Sequence, residues 1–322
     1  MPLPPLLSRV LGAATGSFRD AIHVSLGLFR VMVPIIIAVK ILAELDLIRY
    51  LALPLEPVMR LVGLPPDLGL AWATGMAVNI YSGLLVFASL MTSMEPLSGA
   101  QATVFATMML IAHSLPVEGR IAQQCGVRMM PQLAIRIVCA IVCGFVLHRV
   151  YSATGWLADP ATMLWKPHRV EPGLVPWGLN ELRNLFSLFW VIFALMLFKR
   201  ALDHFDVTPL LNAALRPVLR LLGIGPNAAT ITVVGMCMGI IYGSGLIIRE
   251  VNKGTLDRHD VFCSITLMGL AHALIEDTLL MVLIGGDISA TLGGRLLFAL
   301  LFVAVIGRLT PRRTSPAAAR SA

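Results

Sequence analysis

Two short segments of this chain place ionisable side chains where an apolar helix would otherwise continue. MMLIAHSLPVE, from Met108, carries His113 and Glu118; LMGLAHALIED, from Leu267, carries His272, Glu276 and Asp277. Each such group would cost roughly 2 to 3 kcal/mol or more facing lipid, so all of them should face the protein interior. Turned inward they suit relay of a proton, contact with a polar solute, or coordination of a metal by two histidines and two or three carboxylates. The plain structural alternative is a histidine and an acid that fix two helices to each other. On an unbroken helix five residues turn about 500°, which leaves His113 and Glu118 about 140° apart, so a shared site needs a break. Pro116 supplies one in the first segment by removing a helix hydrogen bond. Ile275 stands in its place in the second, so the two segments are not expected to be equivalent.

A second pair of segments is rich in glycine. GMAVNIYSG runs from Gly75 to Gly83 and contains Asn79, Tyr81 and Ser82; its counterpart holds Gly235, Tyr242, Gly243, Ser244 and Gly245. Backbone groups left unpaired by such interruptions are tolerable in hydrocarbon only where protein or a water-filled cavity covers them. They read either as hairpin tips that hold a substrate or as close packing of small residues between helices. Met76, Met108, Met109, Met236 and Met268 read as core filler rather than as soft-metal ligands. No Walker loop, dinucleotide fingerprint, Ser-His-Asp set or HExxH is present, and no nucleophile stands beside the histidine and acid pairs. An enzyme is therefore not expected, and no cofactor is implied.

The elements that position these residues follow from composition and repetition. Of 322 residues, 57% are hydrophobic and 13% charged, and the mean hydropathy is +0.83. An ordinary soluble enzyme is excluded, and apolar runs of about 18 or more residues recur as in a polytopic membrane protein. The net charge of +7 lies between apolar runs rather than on one face, which argues for topology signals and against nucleic acid. The five cysteines, Cys125, Cys139, Cys143, Cys237 and Cys263, show no metal-type CxxC spacing. No convincing signal peptide opens the chain.

Sliding the sequence on itself by about 160 positions aligns LDLIRYLALPLEPVMRLVGLPPDLGLAWATGMAVNIYSG, from Leu45, with FDVTPLLNAALRPVLRLLGIGPNAATITVVGMCMGIIYG, from Phe205. Asp46 falls on Asp206, Pro57 on Pro217, Arg60 on Arg220 and Pro66 on Pro226. After a one-residue slip His113 falls on His272 and Glu118 on Asp277. Each repeat predicts a long first helix, an amphipathic interfacial helix, a Gly-interrupted segment, a helix carrying the histidine, and a last helix. The boundaries are an N-terminal cytoplasmic segment (1–23), a first repeat (24–151), a connector (152–179) with Trp156, Trp165 and Trp177, a second repeat (180–308) and a basic tail (309–322) expected to be disordered. The predicted interfacial helices run from Asp46 to Val62 and from Asp206 to Leu222; the first and last helices of repeat one start near Val24 and Pro131, and the first of repeat two near Asn184.

The Gly-interrupted segments could cross the membrane or enter and return. If they return, about 16 basic residues lie inside against about 6 outside; if they cross, the tally is about 12 against 10. The bias favours re-entrant hairpins, with Arg120, Arg128, Arg136, Arg216, Arg220, Arg249 and Arg308 among the cytoplasmic residues. Three crossings per repeat is odd, so the repeats are inverted and both termini lie on the cytoplasmic side of a bacterial inner membrane. The fold class is thus an all-α polytopic membrane protein of two inverted repeats, each with about three crossing helices, an interfacial helix and a re-entrant hairpin.

The repeated block of amphipathic helix, LVGLPPD or LLGIGPN, GMAVNIYSG or GMCMGIIYGSG, and AHSLPVE or AHALIED resembles the nucleoside-recognition, or Gate, domain family. That family includes concentrative nucleoside transporters, the membrane region of ferrous-iron transporter B proteins and spore maturation membrane proteins. The resemblance implies a solute site at Asn79, Tyr81, Ser82, His113, Glu118, Tyr242, Ser244, His272, Glu276 and Asp277. The chain lacks the extra scaffold helices of a nucleoside transporter and the G-domain of an iron transporter. The expectation is a secondary transporter or permease for a small polar, nucleoside-like solute bound at the midplane, with the lipid bilayer, a coupling proton or cation and a second copy of the chain as partners. The alternatives are a divalent-metal permease and a non-transporting scaffold subunit.

Overall fold

A computed structural model describes residues 5–45, 50, 53–92, 94–165, 173–204, 207–253 and 256–310. Asp46 and Asp206 lie outside the described residues, as does the side chain of Tyr242. Regular structure among the described residues is helical apart from one isolated bridge between Ser98 and Pro160.

The first repeat contains α1 (Pro5–Glu44), a 3-10 turn (Leu53–Leu55), α2 (Glu56–Leu61), α3 (Leu68–Ala77), α4 (Ile80–Leu90), α5 (Gly99–Ile111), α6 (Leu115–Gln124) and α7 (Met129–Thr154). The second contains α8 (Leu174–His204), α9 (Val207–Leu221), α10 (Pro226–Met238), α11 (Ile240–Asn252), α12 (Arg258–Leu270), α13 (Glu276–Leu283), a π-helical stretch (Ser289–Gly294) and α14 (Arg295–Leu309).

Several boundaries move from those predicted. The helix expected from Val24 begins at Pro5, and the one expected from Asn184 begins at Leu174, inside the connector. Hydropathy marks where a helix enters lipid, whereas the backbone stays helical until a residue stops it; Gly12 and Gly16 are tolerated in a long helix, and Pro176 sits in a first turn. Of the interfacial element predicted from Asp46 to Val62, residues 46–49, 51 and 52 lie outside the described residues, and the part from Leu53 is a 3-10 turn followed by a six-residue helix with Pro57 in its first turn. Its repeat partner keeps Pro217 inside a helix of 15 residues.

Among the described residues five segments are long and apolar enough to cross a membrane: Ala21–Ala38, Gly99–Gln124, Met129–Thr154, Leu174–Phe198 and Ser289–Leu309. The counterpart of Gly99–Gln124 in the second repeat is α12 followed by α13, split at 271–275. The chain is an all-α polytopic membrane protein. Its outer helices carry apolar residues exposed at four-residue spacing, Val138, Val142 and Val146 on α7 and Leu297, Leu301 and Val305 on α14, as a lipid-facing stripe requires.

The Gly-interrupted segments are hairpins. α3 and α4 have 10 and 11 residues, about 15 Å each, half of the roughly 30 Å of hydrocarbon. A Cβ placed on Gly83 would lie 2.9 Å from the Gly75 Cα, and one on Gly243 would lie 2.5 Å from the Gly235 Cα. Residues eight apart on a continuous helix stand about 12 Å apart, so each segment folds back on itself. The turn of the first hairpin is set by Asn79, whose side chain accepts from the Ser82 N–H at 2.9 Å. Its repeat equivalent is Gly239, which takes a φ of +100° that a side chain would oppose. Met109 from α5 lies against Gly75 and Gly83, and Met268 from α12 lies against Gly235 and Gly243. These four glycines therefore serve close packing.

Candidate functional site

α5 and α12 both stop where the histidines stand. Ile111 ends α5 and Ser114 is left-handed at φ +50°; Leu270 ends α12 and Ala273 is left-handed at φ +44°. Ile275 in place of Pro116 led to the expectation that the two segments are not equivalent; at the backbone both break, although only one has a proline. Pro116 merely occupies the first turn of α6. The hairpins receive the freed donors instead, the Ser114 N–H bonding the Gly75 carbonyl at 2.9 Å and the Leu274 N–H bonding the Met236 carbonyl at 3.0 Å. A break at a polar residue is stable because a neighbouring glycine-lined backbone comes close enough to satisfy it.

The breaks bring both histidines and two of the carboxylates to one point. His113 Nε2 lies 3.5 Å from Glu118 Oε1 and 3.9 Å from Asp277 Oδ2. His272 Nε2 lies 3.5 Å from the same Glu118 oxygen and 4.0 Å from the same Asp277 oxygen. The imidazole centroids are 5.0 Å apart. Each histidine thus meets the acid of its own repeat and that of the other, the reciprocal pattern of a two-fold axis. His113 Nδ1 donates to the Met109 carbonyl at 3.0 Å, and His272 Nδ1 to the Met268 carbonyl at 2.8 Å. A carbonyl only accepts, so Nδ1 carries the proton and Nε2 of the neutral ring points a lone pair at the centre. Glu118 and Asp277 stand in the first turns of α6 and α13, where the helix N-termini favour negative charge.

Two residues that the sequence reading did not place here complete the cluster. Arg136 was expected at the cytoplasmic surface; it is 3% exposed, its Nη1 pairs with Glu118 Oε2 at 2.5 Å, and its Nε donates to the Ile111 carbonyl at 2.9 Å. Arg295 is fully buried and donates to the His272 carbonyl at 3.3 Å. Charge tallies cannot separate an interior arginine from a surface one. The repeat register could have: the offset that carries His113 onto His272 carries Arg136 onto Arg295. Gln132, also buried, bonds Thr266 of the other repeat at 2.9 Å.

The remaining predicted site residues lie around this centre rather than in it. Asn79 caps α4, and Ser82 is buried next to it with its hydroxyl lacking a hydrogen-bond partner. Tyr81 is near enough to Glu276 and Asp277 to feel both carboxylates. Ser244 is buried, and its carbonyl receives the Cys125 thiol at 3.8 Å, joining α11 to α6. Glu276 is half-buried at the start of α13.

His113, His272 and Asp277 offer ligand atoms all within 4.8 Å of one another, and so do Asp257, His259 and Asp260. In the second group Asp257 Oδ1 caps the Asp260 N–H at 2.6 Å, Asp260 Oδ1 receives the Gly225 N–H at 3.0 Å, and His259 Nε2 bonds the Gly307 carbonyl at 2.9 Å. Those bonds tie helix ends together and account for that cluster structurally. A cleft of about 10 Å³ reaches Glu118 and Arg136 between α6, α7, α11 and α12. A larger cavity of about 290 Å³ lies at the far end of α7, over Gly63, with Gln101, His148, Tyr151 and Trp156 in its wall.

The chain is 26% identical over 264 residues to the uncharacterized membrane protein YvoD of Bacillus subtilis (strain 168), a match that covers 80% of this chain and 81% of that protein. No family model matches the chain. No solved structure matches it. Its helices and this likeness make it a multi-pass membrane protein, similar over four-fifths of its length to another membrane protein.

Proposed function

We propose that this protein is a secondary transporter of a divalent transition-metal cation, bound between His113, Glu118, His272 and Asp277 in the inner membrane of a bacterium. The observation that carries the reading is that each imidazole Nε2 stands 3.5 to 4.0 Å from a Glu118 and an Asp277 oxygen, with His113, His272 and Asp277 offering ligand atoms within 4.8 Å of one another and Glu118 outside that mutual set. A cation held at about 2.0 to 2.2 Å by tetrahedral ligands needs neighbouring ligand atoms about 3.3 to 3.6 Å apart, a spacing the four imidazole-to-carboxylate separations approach. Each imidazole is already oriented by a backbone carbonyl on its other nitrogen, the arrangement that fixes the tautomer of a metal-binding histidine. Mixed imidazole and carboxylate ligands suit first-row cations better than calcium or magnesium.

The resemblance to the Gate family is compatible with such a carrier, since that family includes the membrane region of ferrous-iron transporter B proteins. A nucleoside-like cargo fits the present arrangement less well. The cleft beside Glu118 has room for about one water molecule, whereas sites for larger organic ligands run to roughly 300 Å³ and above.

A non-transporting scaffold is the second reading, and one observation favours it. Two carboxylates are matched by two buried arginines, so with neutral histidines the cluster has no net charge and can serve as a static tie between the repeats.

Thermal unfolding of the purified protein decides between them, in the presence of zinc, manganese, cobalt, nickel, ferrous iron or nucleosides, on the wild type, His113→Ala and His272→Ala. At about 100 times its dissociation constant a cation adds roughly 2.7 kcal/mol, and both variants should lose that gain. Stabilisation by nucleosides alone would replace metal with the nucleoside cargo, and no stabilisation by any ligand would leave the scaffold.

A further inference from the structure

The two repeats match at the histidines, the left-handed breaks and the backbone hydrogen bonds from the breaks to the hairpins, but not at the arginines. Arg136 makes a 2.5 Å ion pair with Glu118 and closes the end of α5 through the Ile111 carbonyl, leaving its Nη2 buried without a hydrogen-bond partner. Arg295, its repeat partner, makes one long hydrogen bond, to the His272 carbonyl at 3.3 Å, while its Nε and Nη1 are buried without a hydrogen-bond partner. A buried guanidinium with two idle nitrogens is held at high cost, and a rearrangement that pairs it is favoured wherever one is within reach. Asp277 stands at the position relative to Arg295 that Glu118 holds relative to Arg136, and the two interact electrostatically.

A second asymmetry coincides with the first. α11 of the second hairpin packs on α6, with Cys125 and Ser244 at the joint. Among the described residues the repeat-related helices, α4 and α13, do not pack on each other to a comparable extent. The half-helix whose carboxylate is clamped by arginine is therefore the half-helix gripped by the opposite hairpin.

We propose that Arg136 and Arg295 are reciprocal latches. In the conformation described, Arg136 clamps Glu118 and holds the α6–α11 joint shut. In the alternative, each repeat takes the conformation of the other: Arg295 clamps Asp277, the α4–α13 joint shuts, Arg136 releases Glu118, and the α6–α11 joint opens. Each state leaves one arginine paired and one idle, so the two are close in energy. That balance is what a carrier with inverted repeats needs if its central site is to be exposed alternately on the two sides. The latch rests on the transporter reading but makes no use of the identity of the cargo.

The test is maleimide alkylation, followed by mass spectrometry, of the full-length protein in lipid nanodiscs. Native Cys125 reports on the α6–α11 joint, and Ile284→Cys, the same position in the second repeat, reports on α13. Arg136→Gln should speed alkylation of Cys125 by at least about tenfold and slow that of the Ile284→Cys thiol, because removing one partner of a buried ion pair disfavours the state that contains it. Arg295→Gln should do the reverse, and the double variant should return both rates towards the wild type. Simple loosening of the fold would raise both rates in every variant, and that pattern, or unchanged rates, overturns the latch. Uptake into proteoliposomes separates the two readings. Reciprocal alkylation without uptake of any cation defeats the metal-carrier reading and keeps the latch, whereas uptake without reciprocity defeats the latch alone.

Discussion

At the scale of single residues, the glycines of the second hairpin separate by what surrounds them. A methyl group on Gly243 would meet the Gly235 Cα at 2.5 Å and the Met268 sulfur at 2.6 Å, whereas one on Gly245 would meet nothing within 4 Å. A methionine tip can swing away but a backbone Cα cannot. Gly243→Ala should therefore lower stability by about 1 to 3 kcal/mol through overpacking, while Gly245→Ala should be neutral or stabilise by up to about 1 kcal/mol through helix propensity. Thermal unfolding in detergent reads both, and equal effects would refute the packing role. The sequence marks all of these glycines alike, because composition shows that a backbone approaches closely without showing which positions it approaches. Histidines and acids were legible for a firmer reason: an ionisable group in an apolar helix must be answered inside the fold. The arginines were hidden by their second role as topology markers, and only the repeat register distinguishes Arg136 and Arg295 from their surface neighbours.

At the scale of elements, the cause of the helix breaks is the hairpin rather than the proline. Repeat two breaks at 271–275 without one, and both breaks deliver a backbone N–H to a hairpin carbonyl. Pro116→Ala should accordingly keep the break, and its cation-dependent stabilisation should match the wild type. Ser114→Gly should add up to about 1 to 2 kcal/mol, since a left-handed residue with a Cβ carries roughly that strain. Loss of cation-dependent stabilisation in Pro116→Ala would restore the proline as the cause. Helix identity and order could be read from apolar periodicity, and hairpin against crossing from the distribution of basic residues. Helix starts could not, because α1 and α8 run beyond the lipid-compatible stretches that hydropathy detects.

At the scale of the whole molecule, the five apolar spans among the described residues, together with the broken α12–α13 pair, would give three crossings in each repeat and six in all. Six crossings would put the two ends of the chain on the same side, and the excess of basic residues leads us to expect that side to be the cytoplasm. Fluorescent-protein fusions at either end should be bright and alkaline phosphatase fusions at the same places inactive. Opposite results at the two ends would mean that one hairpin crosses after all. Membrane class and duplication were plain from composition and self-alignment, whereas a site shared by the two halves was expected from the family resemblance and not from any local pattern, because it depends on bends that no such pattern announces.

The shared centre also bears on how such a chain can change over time. A duplicated gene usually frees one copy to drift, yet here Glu118 lies 3.5 Å from a histidine of each half. Neither half holds the whole cluster by itself, so neither can act as a spare for it. Among related chains, His113 and His272 should be lost or replaced together, and a lineage that separated the halves into two genes would have to keep both.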